Sequence, residues 1–292
     1  MPSLKEIKNR IGSVNGTLKI TSAMKLVASA KLHKAQDAIG NLVPYETEMH
    51  KILAGLLSVF PYGDCDIYSR ERPVRKAVIV AIASSSSLCG AFNSNAIKKM
   101  EETINGFRER GLADTDIKVY AIGRKITDSL KKSGFTNVED RSMLSDRPDY
   151  AGAAALAEEL TGIYLKEEVD QIVLVYNHYV STAVQKPSAK IFLPLALEMP
   201  EEKGMSTGRQ DYILEPDAES LIAELLPKVL KLKIYTVLLD ANAAEHAART
   251  VAMQTATDNG NQLLQELSLQ YNKKRQQAIT DELLDIVGGS MA

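Results

Sequence analysis

Apolar residues at the start of the chain recur at alternating steps of three and four, at Leu4, Ile7, Ile11, Val14, Leu18, Thr21, Lys25, Ala28, Leu32, Ala35, Ile39 and Leu42. Five heptads in phase predict a helix with a continuous seam for a partner helix. Ser3 followed by Glu6 forms a capping box, so the helix is expected to begin at Leu4. Gly12 and Gly16 each weaken the isolated helix by about 1 kcal/mol, so the seam implies tertiary support. Pro44 is expected to kink or interrupt the helix. A second apolar run, Ile52 to Phe60, ends at Pro61-Tyr62-Gly63-Asp64.

The pattern then changes. Residues 74–83 are nearly all apolar and predict a buried strand, followed by a serine-rich loop and a helix to about Arg110. Strands are expected again at 116–123, 171–180 and 189–197, with helices at 124–133 and 150–169. This alternation predicts a Rossmann-like, mostly parallel, three-layer α/β domain over 74–200, whose last two strands follow each other directly and can pair antiparallel. Residues 201–214, rich in acids, proline and glycine, read as a linker.

From about Asp217 to Ile286 the chain is again helical in pattern, with Pro227 in its first turns. At about 1.5 Å per residue such a helix reaches on the order of 100 Å, which suits a shaft, spacer or tether. Large apolar residues thin out from Ala241 to Gly260, where seven of twenty residues are Ala. Small side chains admit a close neighbour or leave a thin solvated helix, and the pattern leaves both open. Apolar residues resume at Leu263, Leu264, Leu267 and Leu269, then at Ile279, Leu283 and Ile286, with a C-cap expected at Gly288-Gly289. Asp281, Glu282 and Asp285 oppose the macrodipole, so either a cationic partner surface sets them or the end frays. The fold class is therefore α/β, with the terminal helices, residues 1–60 and 215–292, forming one helical unit around an inserted domain.

Composition adds exclusions. The net charge of −2 removes a global nucleic-acid signal, although residues 1–35 carry a net of +6. Those lysines share their helix with an apolar seam, so a partner with acidic loops or plain solvation is the expected reading. Cys65 and Cys89 lack metal spacing, as do His33, His50, His178 and His246. His33 and His246 read as helix-surface positions, and His178 follows a strand with no carboxylate partner legible. No apolar run spans a membrane and no signal core precedes the first helix, so a cytoplasmic location is expected. Ser84–Ser87 after the first strand lack the glycines of a phosphate loop and read as a turn closing a βα connection. No catalytic constellation, cofactor site or metal site is legible. The rival classes are an enzyme that binds nucleotide in the α/β domain and a nucleic-acid-binding tether.

Three segments together resemble the gamma-subunit family of the F-type ATP synthase. They are Ser3–Gln36 with its Ile20–Lys31 core, Leu88-Cys89-Gly90-Ala91-Phe92-Asn93, and the C-terminal run through Glu245–Arg249, Ala256–Asn259, Tyr271–Gln276 and Ile279–Glu282 to Gly288-Gly289. The resemblance covers the whole chain. Ser84–Ser87 depart from it, standing where the family places a charged residue and a glycine, and the cysteine-bearing insert of the chloroplast form is absent. The resemblance implies that the two terminal helices wind as an antiparallel coiled coil, in a bacterial, non-catalytic central-stalk rotor that couples proton flow to ATP synthesis and hydrolysis. Its implied partners are a ring of three alpha and three beta subunits of F1, the epsilon subunit and the c-ring of Fo, with no nucleic acid and no membrane insertion. The implied location is peripheral, at the cytoplasmic face of the plasma membrane. By position in the matching motifs, Met24, Lys25, Arg249, Gln276 and Thr280 are the expected contacts with the alpha/beta ring.

Overall fold

The computed structural model describes residues 3–59, 65–70, 72–195, 214–215 and 217–290. The 201–214 linker therefore lies outside the described residues except at Leu214. The elements run α1 (Leu4–Val59), α2 (Cys65–Ser69), β1 (Ala77–Ile82), α3 (Phe92–Glu109), β2 (Ile117–Ile122), α4 (Arg124–Lys132), β3 (Val138–Asp140), α5 (Met143–Asp146), α6 (Tyr150–Leu165), β4 (Gln171–Tyr179), β5 (Gln185–Leu193) and α7 (Ala218–Ser290). By contacts the chain divides into two compact units, Lys31–Ala248 and Met1–Ala30 with Arg249–Ala292. These boundaries fall inside α1 and α7.

The larger unit is built on one five-stranded sheet of order β3-β2-β1-β4-β5. Strand β1 pairs in parallel with β2 and β4, so Val80 lies between Tyr120 and Leu174. Strand β3 is parallel to β2, and β5 is antiparallel to β4. The unbroken apolar run of β1 follows from burial on both faces. Val78, Val80 and Ile82 join Tyr120, Ile122, Leu174 and Tyr176 on the face covered by α6 and by Leu230–Ala241 of α7. Ile79 and Ala81 join Val119, Ala121 and Val175 under α3 and α4. The result is the three-layer arrangement that the alternation predicts.

Two local devices fix this unit. Gly123 closes β2 with φ +103°, and a Cβ there would lie 2.1 Å from the Ala83 carbonyl oxygen, so only glycine fits. The Tyr120 hydroxyl donates to Glu159 Oε1 at 2.8 Å while Arg141 donates to Glu159 Oε2 at 2.8 Å, tying β2 to α6. Burial, and then the Glu159 carboxylate, push the Tyr120 phenol well above its ordinary value.

Of the kink or interruption expected at Pro44, the interruption does not occur, and α1 runs through it. Beyond the proline, Met49, Leu53 and Leu56 pack on Ile222, Leu226 and Val229 of α7. Six buried apolar side chains outweigh the proline penalty of about 3 kcal/mol. The C-terminal helix likewise passes Pro227 and continues through Gly288-Gly289 to Ser290.

Strand order reverses at β1 and β4, and open α/β sheets take ligands in the crevice beyond such a switch point. Here the chain itself fills it. Asn177 donates from Nδ2 to the Phe92 carbonyl at 2.9 Å, and Phe92 and Cys89 pack on Ala244 and Ala248 of α7. The serine loop closes on itself, with Asn93 Oδ1 accepting from Ser84 N and Ser84 Oγ, both at 3.0 Å. That geometry is the turn closing a βα connection.

Candidate partner-contact surface

The smaller unit consists of the first turns of α1 and the last turns of α7. The capping box starts it: Ser3 N donates to Glu6 Oε2 at 2.8 Å, and Glu6 N donates to Ser3 Oγ at 3.3 Å. The heptad expected in α1 matches burial residue by residue. From Leu4 to Ala28 every seam position is buried or half-buried, and almost every position between them is exposed.

Its partner stripe on α7 is Met253, Thr257, Gly260, Leu264, Leu267, Tyr271, Lys274 and Ala278, again at steps of four and three and all buried or half-buried. Only Leu264 and Leu267 of the leucines expected there belong to it. Leu263 and Leu269 face outward, as do Ile279, Leu283 and Ile286. The stripe escapes a hydrophobicity reading because three of its eight residues, Thr257, Gly260 and Lys274, are polar or glycine.

Three rungs set the antiparallel pairing. The Thr21 and Thr257 hydroxyls meet at 3.0 Å, and Lys25 Nζ donates to Gln254 Oε1 at 2.9 Å. Leu18 lies over Gly260, where an added Cβ would approach its Cδ2 to 2.7 Å. This pairing sets Leu4 opposite about Lys274, so α7 runs on past the start of α1. Residues 281–287 are accordingly all exposed.

Two kinds of outer surface follow. Exposed Lys5, Lys8 and Arg10 on α1 lie near the level of exposed Lys273 and Arg275 on α7, forming a basic belt. Beyond it the end of α7 exposes Ile279, Leu283, Leu284, Ile286 and Val287 beside Asp281, Glu282 and Asp285. A further apolar group, Ile20, Leu26 and Val27, lies exposed on α1, at 61%, 67% and 57%. Such apolar exposure on a charged coiled coil marks a surface that meets other proteins.

A family model described as ATP synthase matches residues 3–292. The chain is 52% identical to an ATP synthase gamma chain of Bacteroides fragilis over the full length of both, and 41% identical to that of Flavobacterium johnsoniae over 100% of this chain and 99% of the relative. The chain belongs to the ATP synthase gamma-chain family. Among solved structures it resembles a chain of the Euglena gracilis mitochondrial ATP synthase, in an OSCP/F1/c-ring structure, at TM-score 0.65 and 18% identity over 99% of this chain and 93% of that one. A chain of the Tetrahymena thermophila mitochondrial ATP synthase central stalk and c-ring gives TM-score 0.56 and 20% identity over 81% and 99%. At these identities the two structures speak to the fold.

The five residues expected from the gamma-chain motifs do not form one site. Met24 and Lys25 are adjacent and half-buried, and Lys25 is held by Gln254. Arg249 is buried, with 8% of its surface exposed. Gln276 and Thr280 are exposed one turn apart, and the Thr280 hydroxyl donates to the Gln276 carbonyl at 2.9 Å. About 40 Å of helix axis separates Arg249 from Gln276. The surface missed from sequence is the outward apolar group at Ile20, Leu26 and Val27. Its signal is legible in retrospect as apolar residues off the heptad seam.

Proposed function

We propose that this chain turns as the central-stalk rotor of a bacterial F-type ATP synthase, coupling proton flow to ATP synthesis and hydrolysis on subunits other than itself. What carries the reading is the α7 stripe joined to an end of α7 that outruns its partner helix. That end exposes a run of apolar side chains that nothing in the smaller unit covers. A ring of alpha and beta subunits supplies such a cover. The basic belt suits acidic loops on the same ring, which can be gripped and released as the shaft turns, because exposed ion pairs are weak. Epsilon and the c-ring are the partners we assign to the sheet domain. The division of labour we propose joins the terminal helices, 1–60 and 215–292, as one working part and 74–200 as the other. No helix among the described residues is long and apolar enough to cross a membrane, and we assign the chain a peripheral place at the cytoplasmic face.

We assign Gln276 and Thr280, from their exposure, and Met24 and Lys25, from their place beside the outward apolar group, as ring contacts. Arg249 we assign as a ring contact by its place in the gamma-chain motif. Two measurements test this. Mixed with alpha and beta subunits, the chain should purify in a complex that holds one copy of it and hydrolyses ATP faster than either part alone; failure to join them sinks the rotor reading. Within the assembled enzyme, R249A with Q276A should lower coupled ATP synthesis, and unchanged synthesis removes the contact assignment.

A further inference from the structure

Helix α7 changes character where it passes the sheet. From Val237 to Ala248 ten of twelve residues are buried, and the other two, Asp240 and Asn242, are half-buried. An amphipathic helix leaves one face in water, whereas this stretch is enclosed all round. Different neighbours take successive faces. Leu238 and Ala241 join the sheet core with Ile82 and Tyr176. Ala244 and Ala248 meet Cys89 and Phe92. Ala243 and Ala247 meet Leu32 and Ala35 of α1.

A ring of apolar contacts around alanines is nearly smooth and by itself opposes rotation of the helix weakly. Four polar side chains lie in the stretch, Asp240, Asn242 and the buried Glu245 and His246, and of these Asp240 and Asn242 tie it to the carboxyl end of the sheet. Asp240 Oδ1 accepts from the Tyr179 N–H at 2.9 Å, and Oδ2 lies 2.6 Å from His178 Nδ1. Asn242 Nδ2 donates to the Ser145 carbonyl at 3.3 Å, and Ser145 Oγ in turn donates to the Ala83 carbonyl at 2.9 Å. Both anchors run to the carboxyl end of the sheet, one to β4 and one to the end of β1. The carboxylate is held by two bonds from one hairpin, which fixes its direction as well as its distance.

We propose that Val237–Ala248 is a keyed collar that locks the azimuth of α7 to the sheet, and that Asp240 and Asn242 are its positioning residues. Turning moment entering the sheet domain crosses to the helices here. The proposal rests on the rotor reading, and it names where within the rotor that turning force is transferred.

The test uses the complete synthase in proteoliposomes, with ATP hydrolysis and ATP-driven proton uptake measured on one preparation. D240A/N242A should assemble and hydrolyse ATP at the parental rate while losing most of its proton uptake per ATP. D240N, which keeps an oxygen for the Tyr179 N–H, should restore a substantial part of that ratio relative to D240A, an outcome that a loss of folding would not give. An unchanged ratio in D240A/N242A overturns the proposal. Should that variant fail to assemble, H178Q and N242A decide: each must lower the ratio at equal hydrolysis, and equality with the parent overturns the collar. If the parental enzyme itself shows no ATP-driven uptake, the rotor reading fails and the collar fails with it, so the two failures are distinguishable.

Discussion

The two units of this chain treat large apolar side chains in opposite ways. In Lys31–Ala248 the strands alternate their residues into two closed cores, and Ile79, Ile122, Leu174 and Tyr164 have no more than 1% of their surface in water. In the smaller unit the seam is narrow, with Ile7, Met253 and Leu267 its largest buried residues, while Leu26, Leu269 and Leu284 are 64% exposed or more. A sheet domain that closes its own cores stabilises itself. A two-helix coil has only one seam to bury, so what it leaves outside must be explained by what it touches.

Substitutions can break that comparison. The largest effect belongs to Gly123→Ala, where both the positive φ and the Ala83 carbonyl exclude a Cβ. It should cost more than about 3 kcal/mol by urea unfolding, or prevent folding, because the blocking atom is backbone. Next, Ile79→Ala should cost about 2–5 kcal/mol, whereas Leu269→Ala should stay within about 0.5 kcal/mol. Equal losses at the two sites would show that the exposed leucine is structural and would dissolve the contrast. Gly12→Ala, with open space around it, should stabilise by about 1 kcal/mol through helix propensity. Gly260→Ala should gain less, because Leu18 must move aside.

The smallest effect is a pH dependence confined to the sheet unit. The Tyr120 phenol titrates higher in the fold than in the unfolded chain, so its neutral form is the one the fold favours. Its contribution is fully present below the unfolded value, about pH 10, and is lost as pH rises toward the folded one. Tyr120→Phe should flatten the fall in stability above about pH 10, measured by urea midpoints across that range, and an unchanged slope would remove the assignment.

Much of this was legible. The N-terminal seam, its capping box and the four long strands follow from spacing alone. What is not legible has physical causes. Strand β3 is three residues long and carries no period. Strand β5 begins at Gln185, earlier than the apolar run, because its edge position demands no apolar pattern of Gln185–Ser188. The partner stripe on α7 includes Thr257, Gly260 and Lys274, which a hydrophobicity count skips. His246, expected on the surface, is 6% exposed, because the surrounding helix is enclosed by elements far away in sequence. The carboxylate partner of His178 is Asp240, sixty-two residues on, and no local pattern announces such a pair. Of the Ala241–Gly260 readings, close approach holds for Ala241–Ala248, since contacts that shield alanine come only from the fold.

The notch at Gly260 also fixes how far the two helices can slide along each other. A seam of repeated heptads can in principle slide by one repeat, about 10 Å, and still present apolar groups to each other. Here such a slide would lift Leu18 out of the space above Gly260 and drive it onto Leu267 in one direction or Met253 in the other, overpacking a narrow interface. It would also part Thr21 from Thr257 and Lys25 from Gln254. The pair of helices is thereby stopped against telescoping, and a shaft that cannot change its length keeps its ends in step while it twists.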